Sequence, residues 1–199
     1  MKKSILLLFC GVLLFGFACK KDENETPKTV VEKIMESVVQ SATVVDSIRT
    51  MAGGPFEFGH KLFFSRNGHI TALGCRFPIT GKAYTVNLWD FDSKALLSSA
   101  TVVPTDFTTF TYAAVTPVAV TANTKYLISA NNYVEGAAQP FFLGINKTGG
   151  QSLYPFTEGS ATFEGVYYVK SNVAVFPGNL NPSQEIIAGI ADCIFEYTE

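Results

Sequence analysis

Few side chains in this sequence have the type and spacing that chemistry demands. Of its four cysteines, Cys10 and Cys19 sit in an apolar N-terminal segment, which leaves Cys75 and Cys193 for the body of the chain. Cys75 alternates in step with Phe77, and Cys193 with Phe195 and Tyr197, so on strands both point inward. Outside a reducing compartment they can form a disulfide if their Cα atoms approach to about 5.5 Å. The alternative is two buried free thiols that pack as small hydrophobes. His60 invites a Cys-His nucleophile reading, but its apolar neighbours at alternate positions make it a core histidine. With His69 it completes a total of two histidines, too few for a His-rich metal site. Asp90 and Asp92 have the opening spacing of a calcium loop, yet the sixth position lacks glycine and the twelfth is Thr101. A hairpin turn closed by Asp and Ser side chains fits them better.

The sequence contains no nucleophile elbow, zinc signature or phosphate loop, and nothing in it specifies the converging carboxylate pair of a glycosidase. The expectation is a non-catalytic protein without metal or cofactor. The richest remaining stretch runs from Asn131 to Gly159 and mixes aromatics, amides and glycines. Sugars present apolar C–H faces together with many hydroxyls, so a flat ring beside Asn, Gln or Glu suits them. In this reading Tyr133 and Tyr154 are stacking platforms, and Asn131, Gln139 and Glu158 supply hydrogen bonds. In the alternative, the same rings close the core under a long loop.

The elements that must position these residues are strands. Beyond Met51, short alternating segments are separated by Gly, Pro, Asn and Asp, a pattern of all-β folds. Asn67-Gly68 is a two-residue turn signal. Taken as a hairpin, it sets Phe56, Phe58, His60, Leu62 and Phe64 opposite Ile79, Phe77, Cys75, Leu73 and Thr71, which gives one nearly apolar face. Glu57, Gly59 and Lys61 then fall on the other face. Further strands are expected at 84–91, 95–103, 107–115, 124–133, 141–145, 161–169 and 187–198. Together they predict a two-sheet antiparallel β-sandwich, jelly-roll-like, over residues 42–199. Trp89 lies on one of these alternating strands, which favours the core.

The N-terminus reads differently. Residues 1–18 combine Lys2 and Lys3, an apolar run from Ile5 to Phe17 and a small residue, Ala18, before Cys19. This is a secretory signal peptide, and its end resembles the lipobox of bacterial lipoproteins, which implies lipidation of Cys19 and an outer-membrane anchor. Residues 20–25 are a charged tract, Lys-Lys-Asp-Glu-Asn-Glu, that resembles the export tag of surface-displayed lipoproteins. From Pro27 to Ser41, Val30, Val31, Ile34, Met35, Val38 and Val39 recur at helical spacing, so residues 19–41 are expected to hold a linker and a short amphipathic helix. β-Branched residues weaken that helix. Removing the leader takes two of the 15 basic residues and leaves 13 against 17 acidic ones, a formal charge of −4. With only 16% of residues charged and 47% hydrophobic, the chain is globular and unsuited to electrostatic nucleic-acid binding.

Several stretches together carry a family resemblance. They are Phe56-Glu57-Phe58-Gly59 leading to Ile70-Thr71-Ala72-Leu73-Gly74-Cys75-Arg76-Phe77, then Val86-Asn87-Leu88-Trp89-Asp90 and Thr116 to Tyr126. Gly165-Val166-Tyr167, Phe176-Pro177 and Ala191-Asp192-Cys193-Ile194-Phe195 follow in order. The chain from about Ala42 to Thr198 resembles the bacterial domain of unknown function catalogued as number 4082. The resemblance implies an extracellular β-sandwich module of the kind found beside carbohydrate-active domains, and it assigns no catalytic residue. Cys75 and Cys193 depart from the family's usual aliphatic residues. The functional expectation is a surface-anchored binding or adhesion module whose partner is a glycan, touching the membrane only through its lipid. The rival is a structural component that binds another cell-envelope protein through a sheet edge or the amphipathic segment.

Overall fold

A computed structural model describes residues 27–41, 44–147 and 150–199. The signal peptide, Cys19 and the charged tract lie outside the described residues. In chain order the elements are β1 (Thr29–Lys33), α1 (Ile34–Gln40), β2 (Val45–Ala52), β3 (Phe56–Phe64), β4 (Gly68–Cys75), β5 (Tyr84–Asp90), β6 (Leu96–Val102) and β7 (Thr111–Val120). They continue as β8 (Lys125–Asn131), β9 (Pro140–Asn146), β10 (Phe156–Glu158), β11 (Ala161–Lys170), β12 (Asn179–Leu180), β13 (Ile186–Ala188) and β14 (Ala191–Thr198).

The fold is an all-β sandwich. A four-stranded sheet runs β1-β14-β4-β7, a seven-stranded sheet runs β10-β11-β3-β8-β5-β6 with β12 beside β11, and a small third sheet runs β13-β9-β2. All strand pairs among the described residues are antiparallel. The two larger sheets meet face to face over aromatic side chains. Phe64 of β3 stacks on Phe195 of β14 with ring centroids 4.1 Å apart, and Phe77 stacks on Tyr84 of β5 at 4.2 Å. Each such ring, fully buried, contributes roughly 1.5–3 kcal/mol.

The turn at Asn67-Gly68 does not make a hairpin. β3 pairs with β8 and β11, whereas β4 pairs with β7 and β14, so the chain crosses from one sheet to the other. The inward residues are nevertheless those expected: Phe58, His60, Leu62 and Phe64 from β3, and Leu73, Cys75 and Phe77 after the turn, are all buried. Apolar alternation fixes which side chains face the core, and it is the same whether two strands hydrogen-bond or face each other across that core.

The expected helix over 27–41 is half strand. Thr29–Lys33 pairs with β14 along its whole length, so the body begins before residue 42. Only Ile34–Gln40 is helical, burying Ile34, Met35 and Val38. Seven residues cannot hold a helix by propensity alone. Packing holds it, together with Asp192 of β14, whose carboxylate accepts the N–H of Met35 at 2.7 Å and of Glu36 at 2.9 Å. The side chain of Lys33 makes no cap, so Asp192 satisfies these orphan donors from another strand. The strand expected over 187–198 breaks at Gly189, where φ is +64° and a Cβ would lie 2.3 Å from Cβ of Phe58. Only glycine serves there.

Candidate functional site

The five residues expected to bind ligand do not converge. Tyr154 is 9% exposed, and its hydroxyl lies 3.4 Å from both the Ile186 carbonyl and Nδ1 of His60. It closes the core and presents no platform, because the segment preceding β10 turns its ring under β13. Gln139 is spent on its own loop: its amide accepts the Val134 N–H at 2.7 Å and donates to the carbonyls of Val134 and Ala137. Glu158 lies elsewhere, lining a cleft of about 350 Å³ with Val31, Glu32 and Lys33. Only Asn131 and Tyr133 share a cleft, of about 270 Å³, with Ala83, Thr85, Asn172, Val173 and Ala174.

Tyr133 is 38% exposed at this cleft, the aromatic ring available to solvent there. Asn131 ends β8 and is buried. Its Oδ1 accepts the Tyr133 N–H at 2.9 Å, and its Nδ2 donates to the carbonyls of Ser171 and Val173. The volume is near the low end of ligand clefts, about 300 Å³, and suits a single ring.

Asn131 also leads to a cluster around Glu57, which alternation sets on the face away from the core. On the outer surface of the seven-stranded sheet, the register sets Glu57 beside Asn131, Ser129 beside both Gly59 and Asn87, and Trp89 beside Leu127. Residues 171–178, between β11 and β12, cross this surface as a strap. Phe176 of the strap packs edge-on to Trp89 with ring centroids 5.8 Å apart. Glu57 is wholly buried. Its Oε1 accepts the Asn87 amide at 3.2 Å and the Ser129 hydroxyl. Nε1 of Trp89 donates to Oγ of Ser129 at 2.9 Å, which completes a relay of donors onto one oxygen. The other oxygen, Oε2, is buried and makes no hydrogen bond of normal geometry among the described residues, although the Asn131 amide and the Val175 backbone of the strap still act on the carboxylate. Burial pushes the Glu57 carboxyl up from 4.5 to about 7, against the opposing pull of Ser129 and Asn87 and, more weakly, of Asn131 and the Val175 backbone. Gly59 makes this packing possible, since a Cβ there would come within 2.5 Å of the Leu127 side chain. The signal in the sequence is the parity of Glu57, Asn87, Ser129 and Asn131, polar residues that share one face of strands whose opposite face is mostly apolar. Trp89 is buried as expected, but on this outer face under the strap.

The remaining chemistry-bearing residues are structural. His60 is buried with Nε2 3.2 Å from the Gly189 carbonyl, so Nε2 carries the proton of the neutral ring. Burial lowers its pKa to about 4. It is not opposite Cys75, which lies in the other sheet. Cys75 pairs in register with Ala191 and Cys193 with Leu73, which makes the two cysteines diagonal neighbours. Diagonal positions are about 7–8 Å apart, beyond disulfide reach. Of the two alternatives the structure has the free thiols: both are buried, and burial pushes both pKa values up. Asp90 accepts the N–H and hydroxyl of Ser93 at 2.8 and 2.7 Å, and these bonds hold its carboxyl below the usual range. No group of three or more metal-ligating side chains gathers among the described residues.

A wider groove, about 660 Å³, runs between the unpaired edges of β6 and β7. Its lining, from Leu97 to Thr101 and from Ala113 to Val118, offers aliphatic and hydroxyl side chains, with neither an aromatic ring nor an ionisable group. No family model matches the chain, and a search of the curated proteins finds no match.

Proposed function

We propose that this is a surface-anchored outer-membrane lipoprotein, tethered through Cys19, whose sandwich is a non-catalytic binding module for carbohydrate. The ligand seats in the cleft bounded by Thr85, Asn131, Tyr133 and Asn172. The observation that carries this reading is Tyr133, a solvent-facing residue whose backbone N–H is fixed by Asn131, at the rim of a one-ring cleft otherwise lined by the Asn172 amide, the Thr85 hydroxyl and small apolar groups. A ring with adjacent amides matches the mixed apolar and hydroxylated surface of a sugar. The apolar leader ending in Ala18-Cys19, which resembles a lipobox, supports the anchored part of the reading. Presenting purified native and Tyr133→Ala chains to a broad glycan array tests it. Selective binding by the native chain, lost in a folded variant, is the expected result; silence across the array rejects it.

One observation favours a second reading, an assembly component that binds another envelope protein. β6 and β7 both present unpaired edges along one groove, and Leu96 and Leu97 on β6 are exposed. Such edges accept an added strand.

A further inference from the structure

We propose that the floor beneath the strap of residues 171–178 is an inner binding site for one neutral sugar ring. The strap lifts to admit the ligand, Glu57 Oε2 accepts a ring hydroxyl, and Trp89 offers the apolar surface that Phe176 now covers. The inference rests on the carbohydrate reading of the cleft and extends it inward.

The starting point is the orphan oxygen. Folded proteins pair more than about 90% of their buried polar groups, and exceptions ask for a reason. Among the described residues three buried side-chain oxygens have no hydrogen bond: Oγ of Ser47 and Oε2 of Glu57 and Glu164. Glu164 is already ion-paired with Lys61 at 2.9 Å, which leaves Glu57 as the carboxylate with one oxygen that makes neither a hydrogen bond nor an ion pair among the described residues. Its environment is a built one. Asn87 and Ser129 donate to Oε1, Trp89 donates in turn to Oγ of Ser129, and these bonds fix the carboxylate through that one oxygen. A lone carboxylate without neighbouring acids is a poor seat for a hard cation, which wants several oxygens. It is a good acceptor for one hydroxyl.

The strap is suited to move. Residues 172–178 make no backbone–backbone hydrogen bond among the described residues. Asn131 holds the strap through the carbonyls of Ser171 and Val173, at 3.2 and 3.0 Å, the Val175 backbone faces the Glu57 carboxyl, and Phe176 rests on Trp89 and Phe91, so lifting the strap exchanges these contacts for the ligand's. Val173 is 59% exposed. Asn172, Val173 and Ala174 are also a wall of the outer cleft, and Asn131 belongs to both sites. The strap therefore separates a solvent-open cleft from the polar floor.

Trp89 is the sole tryptophan, so its emission reports on this floor without a label. The experiment titrates the purified protein with single neutral hexoses and N-acetylhexosamines, in native, Glu57→Gln and Phe176→Ala forms. At least one sugar should change Trp89 emission saturably. Glu57→Gln should weaken that sugar tenfold or more while near-UV circular dichroism stays native. Phe176→Ala, on the strap, should raise acrylamide quenching of Trp89 without sugar and tighten binding severalfold; should Glu57→Gln fail to fold, this variant alone decides. No sugar moving the emission overturns the inner site, as does a folded Glu57→Gln chain that binds as tightly as the native one, or a Phe176→Ala chain with unchanged quenching and affinity. A silent Trp89 with retained glycan-array binding removes only the inner site, whereas silence in both assays removes the carbohydrate reading as well.

Discussion

Tyr112 of β7 donates its hydroxyl to Asp192 of β14 at 2.6 Å. The same carboxylate caps α1 and accepts its own neighbour's N–H, that of Cys193, at 2.7 Å. One buried side chain thus ties the edge strand, the β14 strand and the N-terminal helix together. Burial raises its pKa to about 6, against the pull of these four donors.

Asp192→Ala leaves those donors buried and unpaired, and should cost roughly 2–4 kcal/mol in urea denaturation. Asp192→Asn keeps an acceptor for Met35 and Cys193 and should cost about half as much. A loss below about 0.5 kcal/mol for the alanine variant would show that the cap contributes nothing.

Glu57 gives stability a pH dependence whose sign can be worked out. Its folded pKa, about 7, exceeds the ordinary 4.5, so the folded chain binds the proton more tightly and stability falls as pH rises across that window. Asp192 acts in the same direction between 3.8 and about 6. His60 acts oppositely: its folded pKa near 4 lies below 6.5, so its contribution is present above 6.5 and lost as pH falls toward 4. Glu57→Gln should therefore gain on the native chain as pH rises from 4.5 to 7, by on the order of 2–3 kcal/mol, and hold that gain above 7. Denaturation curves at several pH values read the difference. A constant offset at all pH values would place Glu57 in solvent.

The sequence made the core legible and left the sheet pairing hidden. Phe58, His60, Leu62 and Phe64 alternate inward as read, because burial imposes a period of two on any strand. Their partners could not be read, since Asn67-Gly68 specifies a reversal of the chain and says nothing about which sheet receives the next strand. Val30 and Val31 fit a helical stripe by spacing, but pairing with β14 outweighs a weak propensity in β-branched residues. Of the site, Asn131 and Tyr133 were legible as a neighbouring amide and ring. Tyr154 was not, because an aromatic in a glycine-rich stretch reads the same whether it faces solvent or fills the core. Alternation sets Glu57 on the face away from the core, and its burial is not legible because the segment that covers it, residues 171–178, lies more than a hundred residues away in the chain.

Cys75 and Cys193 should both react with an alkylating reagent in denaturant without prior reduction, adding two labels to the intact mass. In native buffer both should be protected, since burial keeps the thiols protonated and covered. A denatured, unreduced chain that takes up no label would establish the bridge that the strand register argues against.

Cys19→Ala should move the protein from the membrane to the soluble fraction. In the proposed account the lipid on Cys19 is the tether. Tight membrane association of the variant would contradict it.

The most direct test of the binding cleft is calorimetric titration of the tightest glycan-array ligand into native, Tyr133→Ala and Tyr154→Phe chains. Loss of the exposed Tyr133 ring should raise Kd at least about tenfold, or ~1.4 kcal/mol, with an unchanged melting temperature. Tyr154→Phe, buried away from the cleft, should leave Kd as it was. A Tyr133→Ala chain that binds as tightly as the native protein would contradict the placement of the site.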